Sequence, residues 1–236
     1  LLDLESALLL AGDEVTSFTG KRLSAKATKH LEFKIDKLLN EKLSDIHPSY
    51  WFSEEVDRSD YNNQNYWAID PLDGTKEFIE GSPYYSISVA HVSNAKITTG
   101  AVYAPDLNML FTEKDIQAPS NINHAIYFTD ISGNHSLKNK LQCKYKLKEL
   151  SGSVAYKMAY IATSCDLDGL VNTVPKRVWD IAAGQYLCER AGYIVTNING
   201  TKIDYSSPHD IVEGLIVATK SEHKKLVRIV NEKFKL

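Results

Sequence analysis

The sequence predicts a layered protein of α+β or α/β class, and three observations carry that prediction. Apolar residues at helical spacing open and close the chain. Short segments rich in β-branched and aromatic residues fill the stretch from about Tyr66 to Thr112. Beyond Asp115 the two textures alternate, the pattern of helices layered on sheets. At 236 residues the chain is long enough for one large domain or two closely packed subdomains, and the change of texture divides it into residues 1–114 and 115–236.

The elements follow in order. Residues 1–18 read as a helix ending before Gly20, and 27–42 as a second helix with Leu31, Ile35, Leu38 and Leu39 on one face. Residues 57–65 are polar and acidic without periodicity, a solvated loop. Strands are expected at 66–69, 86–92, 97–103 and 109–112, with Ser93-Asn94 as the hairpin turn between the second and third. Asp70 then stands at the end of a strand. Further on come a strand at 125–128, a helix at 153–162, and a helix at 180–191 stopped by Gly192. Strands at 193–196 and 215–218 and a closing helix at 221–234 complete the chain, which has no repeats and no low-complexity tract.

Composition narrows the function classes. Hydrophobic residues make up 43% and charged residues 24%, ordinary for a globular protein and against disorder. A net charge of −3 provides no basic field to hold a nucleic acid polymer. The three cysteines, Cys143, Cys165 and Cys188, have no CxxC spacing, which suggests free thiols and a cytoplasmic setting. No apolar run approaches the roughly 18 residues of a membrane span. Leu8-Leu9-Leu10-Ala11 has the texture of a signal core, but Asp3 and Glu5 precede it where positive charge is expected, so an amphipathic helix is the better reading. Because the chain begins with Leu, missing residues before it are an open expectation.

Chemistry concentrates in Asp70-Pro71-Leu72-Asp73-Gly74-Thr75-Lys76-Glu77-Phe78. Hard cations such as Mg2+ take several oxygen ligands and bind where carboxylates converge beside a substrate phosphate. Asp70 and Asp73 offer such a cluster, with the Leu72 carbonyl between them as a neutral ligand. Gly74 permits close backbone approach to an anion, and N–H groups from there on are available to phosphate oxygens if a helix begins. The alternative for these acids is the ordinary one of caps and turns.

Together with Glu54-Glu55 upstream and Trp179-Asp180-Ile181-Ala182-Ala183-Gly184 downstream, this segment resembles the inositol-monophosphatase-like superfamily of Mg2+-dependent phosphatases. The Lys76-Glu77-Phe78 continuation is most similar to the 3'(2'),5'-bisphosphate nucleotidase, or CysQ-type, branch, and that resemblance implies a role in sulfur metabolism. The resemblance runs from about Leu8 to about Thr219 and implies an α-β-α-β-α sandwich with the metal site between two subdomains. It implies that residues 1–114 carry most metal ligands and that 115–236 add Asp180 and substrate contacts. Carried over, Glu54, Asp70, the Leu72 carbonyl, Asp73 and Asp180 hold two or more Mg2+ ions, which Mn2+ or Ca2+ can replace. Glu54, Asp70, Asp73 and Thr75 are the catalytic set, Thr75 orienting the attacking water. Gly74, Thr75, Asp180, Ser153 and Lys157 contact substrate, with Lys157, like Lys76, more often solvated than engaged on sequence grounds. Glu55 reads as outside the ligand set.

The implied activity is removal of the 3'-phosphate from adenosine 3',5'-bisphosphate. Two alternatives stand beside it: an inositol or other sugar monophosphatase, and a catalytically weakened member acting as a binding protein. The implied partner is a small nucleotide or sugar phosphate, and a homodimer is expected. One departure bears on rate. The family's second helix starts with a T-x-A-D element whose Asp assists Thr in positioning water, and here that position falls on Thr28. Thr is no carboxylate base, so reduced activity is expected. The seven histidines show no metal-ligand spacing and receive no role. The region after Glu113 lacks the family's glycine-aromatic stretch.

Overall fold

The computed structural model describes residues 3–21, 23–56, 65–119, 125–129, 135–148, 152–164, 166–206, 209 and 211–232. Helices α1 (Leu4–Thr16) and α2 (Ala25–Ile46) form an outer layer. Each starts at a polar cap: Asp3 accepts the Ser6 N–H at 2.8 Å and Ser24 the Ala27 N–H at 3.2 Å. Their apolar stripes, Leu8, Ala11 and Val15 from one and Leu31, Ile35 and Leu39 from the other, rest on the first sheet.

That sheet has the order β1 (Tyr50–Ser53), β2 (Asn65–Asp73), β3 (Ser86–Ser93), β4 (Lys96–Ala104), β5 (Met109–Phe111). β1 is parallel to β2 and the other pairings are antiparallel. Successive side chains serve opposite faces: Trp67, Ile69, Ile87 and Val89 join α1 and α2, while Tyr66, Ala68, Ala90 and Val92 enter the central core. Burial on both faces explains why these strands are nearly continuous apolar runs.

The central layer is α5 (Val154–Ser164) with α6 (Val178–Ala191), packed between the first sheet and a second. The second sheet contains β6 (Ala125–Thr129), β7 (Lys146–Lys148), β8 (Gly169–Asn172), β9 (Ile194–Asn197) and β10 (Leu215–Ala218), in the order β7-β6-β8-β10-β9. β6 is parallel to β7 and β8, and β10 is antiparallel to both its neighbours. Helices α4 (His135–Gln142) and α7 (His223–Asn231) cover its far face through Leu137, Leu141, Leu226 and Val230. The layers are therefore helix, sheet, helix, sheet, helix, as expected. Gly184 makes the central layer possible, since a Cβ there would stand 2.6 Å from the Met158 Cβ of α5.

Several boundaries differ from expectation. The strand at 66–69 does not stop before Asp70; β2 continues to Asp73, with a register shift against β3 between Asp70 and Asp73. Pro71, which has no N–H to give a ladder, lies inside that irregularity. The hairpin turn is centred on Asn94 and Ala95, both left-handed at φ 50 and 58, one residue later than predicted. Nothing in the periodicity marks β1, β7, β8, α4 or α3 (Thr75–Ile79); all but α4 have five residues or fewer, too short for a pattern to register. The predicted loop at 57–65, apart from Asn65, lies outside the described residues, as do Cys165 and the end of the closing helix.

Candidate active site

The Asp70 to Thr75 segment ends β2 at the seam between the first sheet and the central helices. Asp70, 2% exposed, accepts the Leu72 N–H at 2.9 Å, which folds the chain tightly around Pro71. Asp73 accepts the Ala155 N–H of α5 at 2.8 Å. Gly74 follows at φ 91, where a Cβ would meet the Tyr85 Cα at 3.3 Å and the Ser153 Cβ at 3.2 Å; only glycine suits both the backbone angle and the crowding. α3 starts immediately after it.

Asp180 reaches the same seam from the third position of α6, where it accepts the Arg177 N–H at 3.0 Å and closes the helix's first turn. The Ser88 hydroxyl donates to the Trp179 carbonyl at 3.1 Å and fastens that turn to β3. Glu54, just past β1, is tied to β2 by its N–H to the Ile69 carbonyl at 3.2 Å. Capping and turn roles thus hold for Asp70 and Asp180, and they orient these carboxylates at the seam.

Electrostatics show that the four acids share a neighbourhood. Burial, then Asp73, Glu54 and Asp180, push Asp70 well above the usual carboxylate range. Burial raises Asp180 to about 7, with Asp73 adding and Lys176 opposing. Asp73 is also raised by burial, against the pull of Lys176 and the Ala155 N–H. Glu54 keeps solvent access, yet partial desolvation and the charges of Glu55 and Glu32 raise it too. Among the described residues no three His, Cys, Asp or Glu side chains stand close enough as placed to hold a metal ion. The four acids are nevertheless all hard-oxygen groups that repel one another, with Asp70 and Asp73 buried, Asp180 half-buried and Glu54 exposed, a charge density that a divalent cation relieves.

Thr75 has a partner that periodicity did not single out. Its hydroxyl donates to Glu32 Oε1 at 2.8 Å and lies 3.2 Å from the Leu72 carbonyl. Glu32 is 6% exposed, and its Oε2 is 3.5 Å from Lys29 Nζ. Lys29 also pairs with Glu55, at 2.8 Å to Oε1 and 2.7 Å to Oε2. Glu55 is therefore buried and ion-paired rather than solvated. Thr28, buried one turn before Glu32, spends its hydroxyl on the Ser24 carbonyl at 3.1 Å. Glu32 was findable: it follows Thr28 by four residues, on the same face of α2.

Beside the acids lies a cleft of about 390 Å³, lined by Asp73, Gly74, Thr75, Ser153, Lys157 and Lys176 among others. Lys157 is 7% exposed, not solvated, and burial lowers its ammonium below the usual lysine range, with Asp73 and Glu77 opposing. Its Nζ is 3.4 Å from the Thr129 hydroxyl. Ser153 bonds the Ser86 hydroxyl at 2.8 Å and accepts the Tyr156 N–H at 3.1 Å. Lys76 lines the cleft but its side chain is 79% exposed. Lys176, in the turn before α6, was not singled out by the sequence, because a lone lysine four residues before Asp180 carries no pattern.

Fold and site together define a layered α/β protein whose carboxylates flank a lysine-lined cleft. The inositol monophosphatase family model matches residues 13–234, and the chain belongs to that family. It is 29% identical over 182 residues to the fructose-1,6-bisphosphatase/inositol-1-monophosphatase of Thermotoga maritima, covering 70% of this chain and 68% of that one. It is 29% identical over 160 residues to the 3'(2'),5'-bisphosphate nucleotidase CysQ of Escherichia coli, covering 61% and 63%. Among solved structures, the Thermotoga maritima IMPase TM1415 superposes with a TM-score of 0.80 at 22% identity, covering 97% and 95% of the two chains. CysQ from Bacteroides thetaiotaomicron gives 0.78 at 20% identity over 91% and 94%. Among the described residues no helix is long and apolar enough to cross a membrane.

Proposed function

We propose that the protein is a Mg2+-dependent phosphomonoesterase that hydrolyses the 3'-phosphate of adenosine 3',5'-bisphosphate to AMP and phosphate. The observation that carries the reading is the juxtaposition of Asp70, Asp73 and Asp180 with a cleft walled by Lys157 and Lys176. Glu54, Asp70, the Leu72 carbonyl, Asp73 and Asp180 would hold two or more Mg2+ ions, with Mn2+ or Ca2+ able to occupy the same oxygens. Bound metal supplies charge neutralisation at the phosphate and a more acidic water.

The chain's own residues would do the rest. Gly74 and Thr75 lie against the phosphate to be removed, and Thr75 orients the water whose oxygen bonds phosphorus as the bond to the 3' oxygen breaks. One proton leaves that water and one reaches the departing 3' oxygen. Ser153 closes the cleft beside Gly74. Lys157 and Lys176 offer two positive charges, which suits a substrate with a second phosphate.

A second reading, an inositol or other sugar monophosphatase, has its own support in the 29% identity to the Thermotoga maritima fructose-1,6-bisphosphatase/inositol-1-monophosphatase. The weakened binding-protein reading rests on Thr28 and is opposed by the Glu32 partner of Thr75. Phosphate release from a panel of nucleotide, inositol and sugar phosphates, with and without Mg2+, tests all three. Metal-dependent preference for the bisphosphate supports the proposal; preference for inositol phosphates, or no release, replaces it. A cytoplasmic setting and a homodimer belong to the same reading, and fractionation and gel filtration check them.

A further inference from the structure

We infer that Glu32 is the positioning residue for Thr75, filling from one turn further along α2 the place left by a threonine at position 28. The inference rests on the phosphatase reading and extends it to a residue outside the carried-over set.

The geometry is specific. A threonine hydroxyl has one proton and two lone pairs, so committing the proton to one acceptor frees the oxygen to accept from a water. That acceptor is Glu32 Oε1 at 2.8 Å, the shorter of two contacts and the one strengthened by charge; the Leu72 carbonyl is at 3.2 Å. Thr28 makes no such bond, since its own hydroxyl is spent within α2 on the Ser24 carbonyl. Glu32 is itself held: it is buried, and its second oxygen faces Lys29, which Glu55 anchors from the other side. A surface glutamate sampling rotamers would not fix a hydroxyl; one clamped between Lys29 and Thr75 does. The chain Glu55–Lys29–Glu32–Thr75 thus joins α2 to the turn after β2.

The decisive experiment is a double-mutant cycle of Glu32→Gln and Thr75→Ala, assayed for phosphate release at saturating Mg2+. Glu32→Gln keeps the shape and removes the charge. It should lower kcat at least about tenfold while KM changes less than about threefold, and should cost nothing further in the Thr75→Ala background. Glu32→Asp, which keeps the charge, should recover part of the loss. Methyl NMR of the metal-free protein gives a readout independent of turnover: the Thr75 methyl resonance should shift in Glu32→Gln. A kcat within twofold of wild type, an equal cost in both backgrounds, or an unmoved Thr75 methyl would overturn the inference. Wild-type protein that releases no phosphate from any substrate would remove the phosphatase reading instead, and the methyl resonance would still decide whether Glu32 holds Thr75.

Discussion

Asp73, at the end of β2, accepts a 2.8 Å hydrogen bond from the backbone N–H of Ala155, the second residue of α5 and 82 residues further along the chain. A carboxylate at the site therefore also fastens the first sheet to the central helix layer. Asparagine keeps an oxygen for that N–H and removes the charge. Asp73→Asn should thus fold normally yet lose at least about 100-fold in Mg2+-dependent phosphate release, since one anionic oxygen near the developing charge is worth several kcal/mol. Near-wild-type turnover at saturating substrate and metal would take Asp73 out of the site.

The crowding of acids gives a pH signature. Asp180 is raised by burial, and then by Asp73, from an ordinary 3.8 to about 7. A carboxylate raised on folding holds its proton more tightly in the native state, so its contribution to stability is greatest below the unfolded value and falls as pH climbs to about 7. Metal-free protein should lose about 1.4 kcal/mol between pH 6 and 8, most of it below pH 7, roughly 3–6 °C in Tm for a chain of this size. Added Mg2+ should flatten the loss by replacing protons as the counter-charge. His91 works in the opposite direction: burial, then His47, lowers it to about 4, so its contribution grows as pH rises toward 6.5 and levels off above. Asp180→Asn separates the two, and a thermal profile of that variant as steep as wild type would refute the assignment to Asp180.

Lys157 bears on substrate choice. It is buried and lines the cleft with Lys176, where Asp73 and Glu77 favour its charged form and a bound phosphate would do the same. Lys157→Ala should raise KM for adenosine 3',5'-bisphosphate by about tenfold or more, the scale of one charge-assisted contact, and leave KM for inositol 1-phosphate within about threefold. Equal effects on both would place Lys157 at the phosphate they share.

Packing at the central layer is testable without substrate. A Cβ at Gly184 would overlap Met158, so Gly184→Ala should destabilise by about 1–3 kcal/mol in urea unfolding. Adding Met158→Ala should reduce the extra cost of the glycine change, because the two share one space. Strict additivity would mean that the helices simply move apart.

How much of this was legible in the sequence differs from part to part. The long helices and the apolar strands showed because burial on a defined face imposes a period, as Ile35 and Leu39 or Ile87 and Val89 illustrate. Asp70 and Asp73 showed because a short segment confines them, whereas Glu54 and Asp180 came only through the family resemblance. Lys176 did not show, since it becomes meaningful only when a distant turn is brought beside it, and Glu32, although it shares the Thr28 face of α2, was passed over because its partner Thr75 lies 43 residues away. The continuation of β2 through Asp73 was hidden by Pro71, which reads as a stop yet here sits within a register shift.

Thr28 gives the sharpest contrast between the two kinds of reading. From sequence alone, Thr28→Asp restores a missing carboxylate and should raise turnover by roughly tenfold or more. With Glu32 already holding the Thr75 hydroxyl, the expected gain shrinks to less than about threefold. The new carboxylate would also be buried one helical turn from Glu32, a like-charge pair at four-residue spacing, and should lower thermal stability. In a Glu32→Gln background the same substitution meets a neutral neighbour and a Thr75 proton with no carboxylate to accept it, so there it should recover several-fold in kcat. Measured at saturating Mg2+, a tenfold gain in the wild-type background would show that Thr75 lacks an effective partner, and the role given to Glu32 would fall.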